Sequence, residues 1–268
     1  MHERKNNMVR THHSQPAKAF TLIELLVVIA IIALLVSIVV PSFGRFKDMA
    51  KATVAKSRVA ALNGACELYY GTYHMYPGQD TDSIARLKST GNDRLTGTQV
   101  LVRAIFDFNV DPADSTKWDR TNRQNPRLLT ELNPDDLDVN GTIFNPPPAP
   151  AGPRYSVMDH FTKQMPFLYY PARLGVTGVT SIYIEDDNRL YYKDNGAVGT
   201  YGEKDDNVAC EPGAPTKTGF AKFIENPTTA LGGATPGPYR EDTYLIIGAG
   251  IDRKYFNDDD TANFNFGR

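Results

Sequence analysis

Cysteine is nearly missing from this chain: Cys66 and Cys210 are the only two in 268 residues. Two thiols so far apart exclude a disulfide framework of the small secreted kind, and they offer no metal-type spacing. One bridge between them and two unpaired thiols both stay open. Histidine is scarce too, and beyond Phe20 only His74 and His160 remain, each isolated. There is no Gly-x-Ser-x-Gly elbow, no His-Glu-x-x-His helix and no phosphate-binding loop. Gly248-Ala249-Gly250 lacks the further glycine that a dinucleotide turn needs. An excess of one charge is also lacking: 29 basic and 31 acidic residues leave −2. That balance gives no electrostatic reason to expect a nucleic-acid partner.

What is abundant is apolar sequence in one place. Phe20 to Val40 is almost wholly apolar, while the rest is polar and rich in Gly, Pro, Asn and Asp. As a helix this run is about 32 Å long at roughly 1.5 Å per residue, enough to cross a hydrocarbon core. It is longer than the apolar part of a signal peptide, and Pro41-Ser42-Phe43-Gly44-Arg45 offers no small-x-small cleavage site. The basic residues Arg4, Arg10 and Lys18 precede it. The positive-inside rule therefore predicts a single pass with a cytoplasmic N-terminus and an exported C-terminal part. A plain anchor does not account for Glu24. A carboxylate inside an apolar span costs about 2–3 kcal/mol to insert unless it finds a partner. A cation on a neighbouring copy, such as a new N-terminus at Phe20, would be one.

Lys18-Ala19-Phe20-Thr21-Leu22-Ile23-Glu24-Leu25-Leu26-Val27-Val28 resembles the cleavage and methylation signature of type IV pilins and type II secretion pseudopilins. The resemblance implies a cut by prepilin peptidase between Ala19 and Phe20, with methylation of the Phe20 amine. It implies that Glu24 pairs with the amine of an adjacent subunit during assembly, and that Pro41 stands where many pilins carry a helix-kinking proline. Ala19 departs from the glycine usual before the cut. The leader, residues 1–19, holds four basic residues and one acidic one, so its removal takes the net charge from −2 to −5.

Beyond the run 20–40 the pattern turns amphipathic. Phe43, Phe46, Ala50, Val54, Ala61, Ala65 and Leu68 form a helical stripe that predicts the core-facing side of a continued helix over 41–76. Pro41 is expected to kink this helix rather than end it, because the period resumes at once. Tyr76-Pro77-Gly78 is the stop. Residues 77–161 read as a loop-rich insertion, with one short helix over Thr98–Phe108 and a Pro-rich connector at 145–153. Trp118 and the charges of Asp107–Asp119 read as a solvated face. Strands are expected in Pro166–Arg173, Thr180–Glu185, Arg189–Asp194 and Thr243–Gly248, with a hairpin turn at Asp186-Asp187-Asn188. The fold class is therefore α+β: a long N-terminal helix packed on a small antiparallel sheet, with 162–268 as sheet and acidic C-terminal loop.

Tyr69 to Pro77 is similar to the Tyr-Pro helix exit of the major pseudopilins. Gln164-Met165-Pro166-Phe167-Leu168-Tyr169-Tyr170 is similar to their Gly-x-Pro-Tyr-x-Tyr strand. Gly250-Ile251-Asp252 and Asp258-Asp259-Asp260 resemble the turn and acidic loop that bind calcium in that family. By composition alone such a loop is a solvated turn. The resemblance implies a calcium ion held by Asp252, Asp258 and Asp260, although Arg253 stands at a usual glycine position. The function it implies is a subunit of a periplasmic pseudopilus in type II secretion. The expected partners are further copies of the chain, minor pseudopilins, the inner-membrane assembly platform, prepilin peptidase and the inner membrane of a bacterium. A type IV pilus subunit shares every N-terminal feature, and a membrane-anchored periplasmic enzyme is the distant alternative.

Overall fold

The computed structural model describes residues 20–88, 94–106, 108–111, 114–123, 137–139, 155–159, 161, 164–193, 202–204, 219–230 and 235–266. The leader with Ala19, Cys210, His160 and the Pro-rich connector lie outside these residues. Helix α1 runs Leu22–Tyr73 and passes through Pro41 without ending. Proline removes one backbone hydrogen bond, which a helix with strong flanks survives. The chain divides into two compact units, Met1–Lys47 and Asp48–Arg268, and the division falls inside α1.

α1 stops where His74 turns to a left-handed φ of 56°. The Tyr-Pro exit is then tied to the sheet. The Tyr169 hydroxyl donates to the Pro77 carbonyl at 2.7 Å, and the Gln79 amide donates to the Asp242 carbonyl at 3.1 Å. Two short helices follow, α2 (Thr81–Lys88) and α3 (Gly97–Phe106), then strands β1 (Phe108–Asp111), β2 (Asp114–Arg123), β3 (Leu137–Val139) and β4 (Tyr155–Val157). β1 pairs with β2, and β3 with β4, both antiparallel.

The central sheet has three antiparallel strands in the order β10-β8-β5, with β5 at Leu168–Pro171, β8 at Tyr244–Gly248 and β10 at Thr261–Ala262. β5 and β8 are buried along their whole length. That explains why their sequences read as continuous apolar runs and not as alternation. Strand alternation sends Phe167, Tyr169, Tyr244 and Ile246 to one core, against Ala55, Val59, Leu62 and Cys66 of α1 and Leu101 of α3. It sends Leu168, Tyr170, Leu245 and Ile247 to a second core on the opposite face. There they meet helix α4 (Val179–Ile182), helix α5 (Gly219–Ile224), and Tyr255 and Phe256. A further parallel sheet joins β6 (Tyr192–Lys193), β7 (Gly202–Lys204) and β9 (Lys254–Tyr255).

The α+β layout and the strands at 168–171 and 244–248 agree with the sequence reading. Four expectations are corrected. Of the stripe Phe43-Phe46-Ala50-Val54-Ala61-Ala65-Leu68 only Ala65 is buried and Ala61 partly so: Phe43, Phe46 and Leu68 are more than half exposed, and Val54 is 40% exposed. The buried face is Ala55-Arg58-Val59-Leu62-Ala65-Cys66, one step round the helix. Two apolar stripes compete on this helix, and only the sheet's position selects between them. Secondly, Thr180–Glu185 is not a strand. Val179–Ile182 is one helical turn, Glu185–Asp187 and Arg189–Tyr191 are 3-10 turns, and no hairpin forms at 186–188. β-branched content there reflects packing into the second core, where Val179, Ile182 and Tyr183 are buried. Thirdly, of the strand expected over Arg189–Asp194 only Tyr192–Lys193 is strand. Fourthly, residues 77–161 are less loop-like than expected, since they include α2 and four strands besides the expected helix. Trp118, Asp114, Lys117 and Asp119 lie on β2 and Asp111 on β1, while Asp107 lies outside the described residues.

Candidate functional site

The first candidate site lies at the N-terminus of α1. Thr21 and Glu24 form a reciprocal capping box. The Glu24 carboxylate accepts from the Thr21 backbone N–H at 2.9 Å and from its hydroxyl at 2.8 Å. Thr21 Oγ1 accepts from the Glu24 N–H at 3.3 Å. One carboxylate thus meets donors that the first turn of a helix would otherwise leave open. Sequence reasoning singled out Glu24 and missed its partner, although Thr-x-x-Glu is the capping-box spacing. Phe20 is 80% exposed, and every large apolar side chain from Leu22 to Val40 is between 47% and 81% exposed. Among the described residues, α1 is the one helix long and apolar enough to cross a membrane.

The second candidate site is the C-terminal loop after β8. Asp260 is buried, and its two oxygens accept from the backbone N–H groups of Gly250 at 3.2 Å and Phe256 at 2.7 Å. Burial pushes its carboxyl well up from the usual carboxylate range, against the pull of those N–H donors. Asp252 accepts from the Lys254 N–H at 2.8 Å and the Asn257 amide at 2.8 Å. Its pKa is raised by partial burial and by the like charge of Asp259, though the Lys254 N–H pulls the other way. Asp259 in turn accepts from the Asp252 N–H at 3.1 Å and packs so closely on Gly250 that a Cβ there would strike its carboxylate. Asp258 is exposed.

The donor chemistry, all oxygen, suits a hard cation. The arrangement does not fit one: among the described residues no three Asp, Glu, His or Cys side chains stand so as to hold a metal ion. The Asp252 N–H donates to Asp259, while Asp260 is turned inward onto the backbone.

Arg253, next to Asp252 in the turn, carries a φ of 67°. Its guanidinium pairs with buried Asp159 at 2.8 Å, donates to the Gly250 carbonyl at 3.2 Å and lies 4.8 Å from the Phe161 ring centre. Asp159 also accepts from the N–H groups of Phe161 and Met165. Desolvation still pushes its pKa up, and Arg253 opposes that shift.

An open cleft of about 480 Å³ lies between α1 and the C-terminal segment, lined by Lys56, Asn63, Arg240, Asn263, Phe264 and Asn265 with small apolar residues. It presents two cations and three amides, with no carboxylate, histidine, thiol or hydroxyl in its lining. General acid–base chemistry has no pair to work with there. Cys66 is buried with a free thiol, raised well above its ordinary pKa by burial, which suits a core residue and not a nucleophile.

A helix that exposes its apolar side chains, opens on a carboxylate box and continues into a small α+β head has the layout of a pilin-like chain. The family described as "Prokaryotic N-terminal methylation motif" matches residues 15–40. Over that motif the chain is similar to pilin-like and pseudopilin proteins. It is 39% identical over 75 residues to "Type II secretion system core protein G" of Pseudomonas aeruginosa, covering 27% of this chain and 52% of that protein. It is 36% identical over 78 residues to "Prepilin peptidase-dependent protein A" of Clostridium perfringens, covering 29% and 54%. Over 60 residues it is 42% identical to the core protein G of Escherichia coli, covering 22% and 41%. The chain spans about half the length of the curated relatives it matches. No solved structure matches it.

Proposed function

We propose that the chain is a structural subunit of a periplasmic pseudopilus that acts in type II protein secretion. The observation that carries this reading is the apolar surface of α1 from Leu22 to Val40, exposed along its length and headed by Glu24. Such a surface needs lipid before assembly and other helices after it. In this reading prepilin peptidase cuts between Ala19 and Phe20 on the cytoplasmic side, and the Phe20 amine is methylated. Thr21 satisfies Glu24 while the subunit waits in the membrane. On assembly the Glu24 carboxylate takes the Phe20 amine of the next copy, a charge pair that is strong away from water. The exposed Phe43 and Phe46 add to that packing surface. Two of the relatives carry the name core protein G, which supports secretion over a surface pilus.

Mass spectrometry of the mature protein should find methylated phenylalanine at its N-terminus; an intact Met1 start would refute processing. Glu24→Ala should insert normally and polymerise poorly, read by filament shearing and pelleting. Unimpaired assembly would remove Glu24 from the mechanism. Deleting the gene should retain secreted enzymes in the periplasm, whereas a loss of surface fibres with secretion intact would identify a type IV pilus instead.

A further inference from the structure

We infer that the C-terminal loop from Gly250 to Thr261 is closed by the protein's own groups and needs no divalent cation, with Arg253 as the bolt that fixes it to the body. This does not rest on the filament reading.

The closure is visible group by group. Five backbone N–H groups of the loop have a side-chain acceptor within the loop. Gly250 and Phe256 donate to Asp260, Asp252 to Asp259, Lys254 to Asp252, and Asp259 to Asn257. Both oxygens of the buried Asp260 carboxylate thus already accept a backbone N–H. Neither Asp260 oxygen is left without a donor. The two residues of the loop in the left-handed region, Arg253 and Phe256, are not glycines. That backbone costs free energy, so it persists only where surrounding contacts determine it. For Phe256 those contacts are the second core, with its N–H held by Asp260. For Arg253 they are the Asp159 carboxylate, the Gly250 carbonyl and the Phe161 face. The guanidinium's fixed plane lets it stack on the ring and pair with the carboxylate at once. It thereby joins the loop to Asp159 and Phe161, far away in sequence. The Asp159 charge would otherwise be buried unpaired, so each half of the contact needs the other.

Amide hydrogen exchange on the full chain in detergent micelles tests this. With EDTA present, Gly250, Lys254 and Phe256 should remain protected, within about twofold of their rates in millimolar calcium. Protection lost in EDTA and restored by calcium would overturn the inference. Arg253→Gly relieves the left-handed backbone, so any loosening it causes comes from the missing guanidinium. It should lower protection of the three amides by about tenfold or more, with or without calcium. Arg253→Lys, which keeps the charge but not the planar stack, should fall between. Unchanged protection in Arg253→Gly would overturn the role given to Arg253.

Discussion

Asp187 is 2% exposed and pairs with Arg173, whose terminal nitrogen reaches both carboxylate oxygens at 2.9 Å. Burial pushes the Asp187 carboxyl up to about 7, outweighing the attraction of Arg173, with Asp186 raising it further and Arg94 lowering it. In the unfolded chain an aspartate titrates near about 3.9. The folded state therefore holds this proton more tightly. The stability it contributes is fully present below about pH 4 and is lost as pH rises through about 7. Urea melts should show Asp187→Asn flattening the decline in stability between about pH 5 and pH 8. A slope identical to wild type would remove Asp187 as its source. Arg173→Ala should cost on the order of 3–5 kcal/mol at about pH 8, where it strands a buried carboxylate, and less at about pH 5, where the carboxylate takes a proton. Neither partner was marked by its sequence, since an Arg fourteen residues from an Asp is ordinary. Only the fold of α4 and the turn after it brings them together.

At the scale of elements, α3 packs closely on β5. A Cβ at Gly97 would strike the Tyr169 carbonyl oxygen and crowd the Asn188 amide, which itself donates to that carbonyl at 2.6 Å. Gly97→Ala should therefore destabilise the head by about 1–3 kcal/mol, the cost of overpacking, and lower its melting temperature. A neutral effect would mean α3 shifts freely on the sheet. β8 has an instructive edge. β10 pairs with Gly248 and Ile247 only, and beyond it the Asn263 side chain takes over. Its oxygen accepts from the Ile246 N–H at 2.9 Å, and its nitrogen donates to the Tyr244 carbonyl at 3.3 Å. A side chain thus completes a ladder that the strand is too short to finish, which leaves less edge open to other strands. Strands β5 and β8 were legible because each is a continuous apolar run. α4 was not, because a four-residue turn with three β-branched residues has the composition of a strand and no period to betray it.

For the whole molecule, the two compact units differ in surface: the first exposes an apolar run and the second encloses two cores. Leu62 is fully buried in the core between α1 and the sheet, so Leu62→Ala should cost about 2–5 kcal/mol in a melt of the head. A fragment from Asp48 to Arg268 keeps both cores and sheds the apolar run of Leu22–Val40. It should melt cooperatively and remain monomeric without detergent, as judged by light scattering. Aggregation, or a broad non-cooperative melt, would show that the head depends on the first unit.

The prepilin-like motif, the membrane-length run and the long helix were determined by the sequence alone. Hydrophobic length and a lone carboxylate act locally, through contact with lipid and the first turn of a helix, and need no fold to be read. The Lys18–Glu24 segment is therefore legible from residue identity and spacing. The choice of α1's buried face, the Arg173–Asp187 pair and the closure of the acidic loop by Arg253 and Asp260 were decided only by tertiary structure. Each depends on which of two equally apolar or equally charged groups the chain brings to a distant partner, and spacing along the sequence holds no record of that.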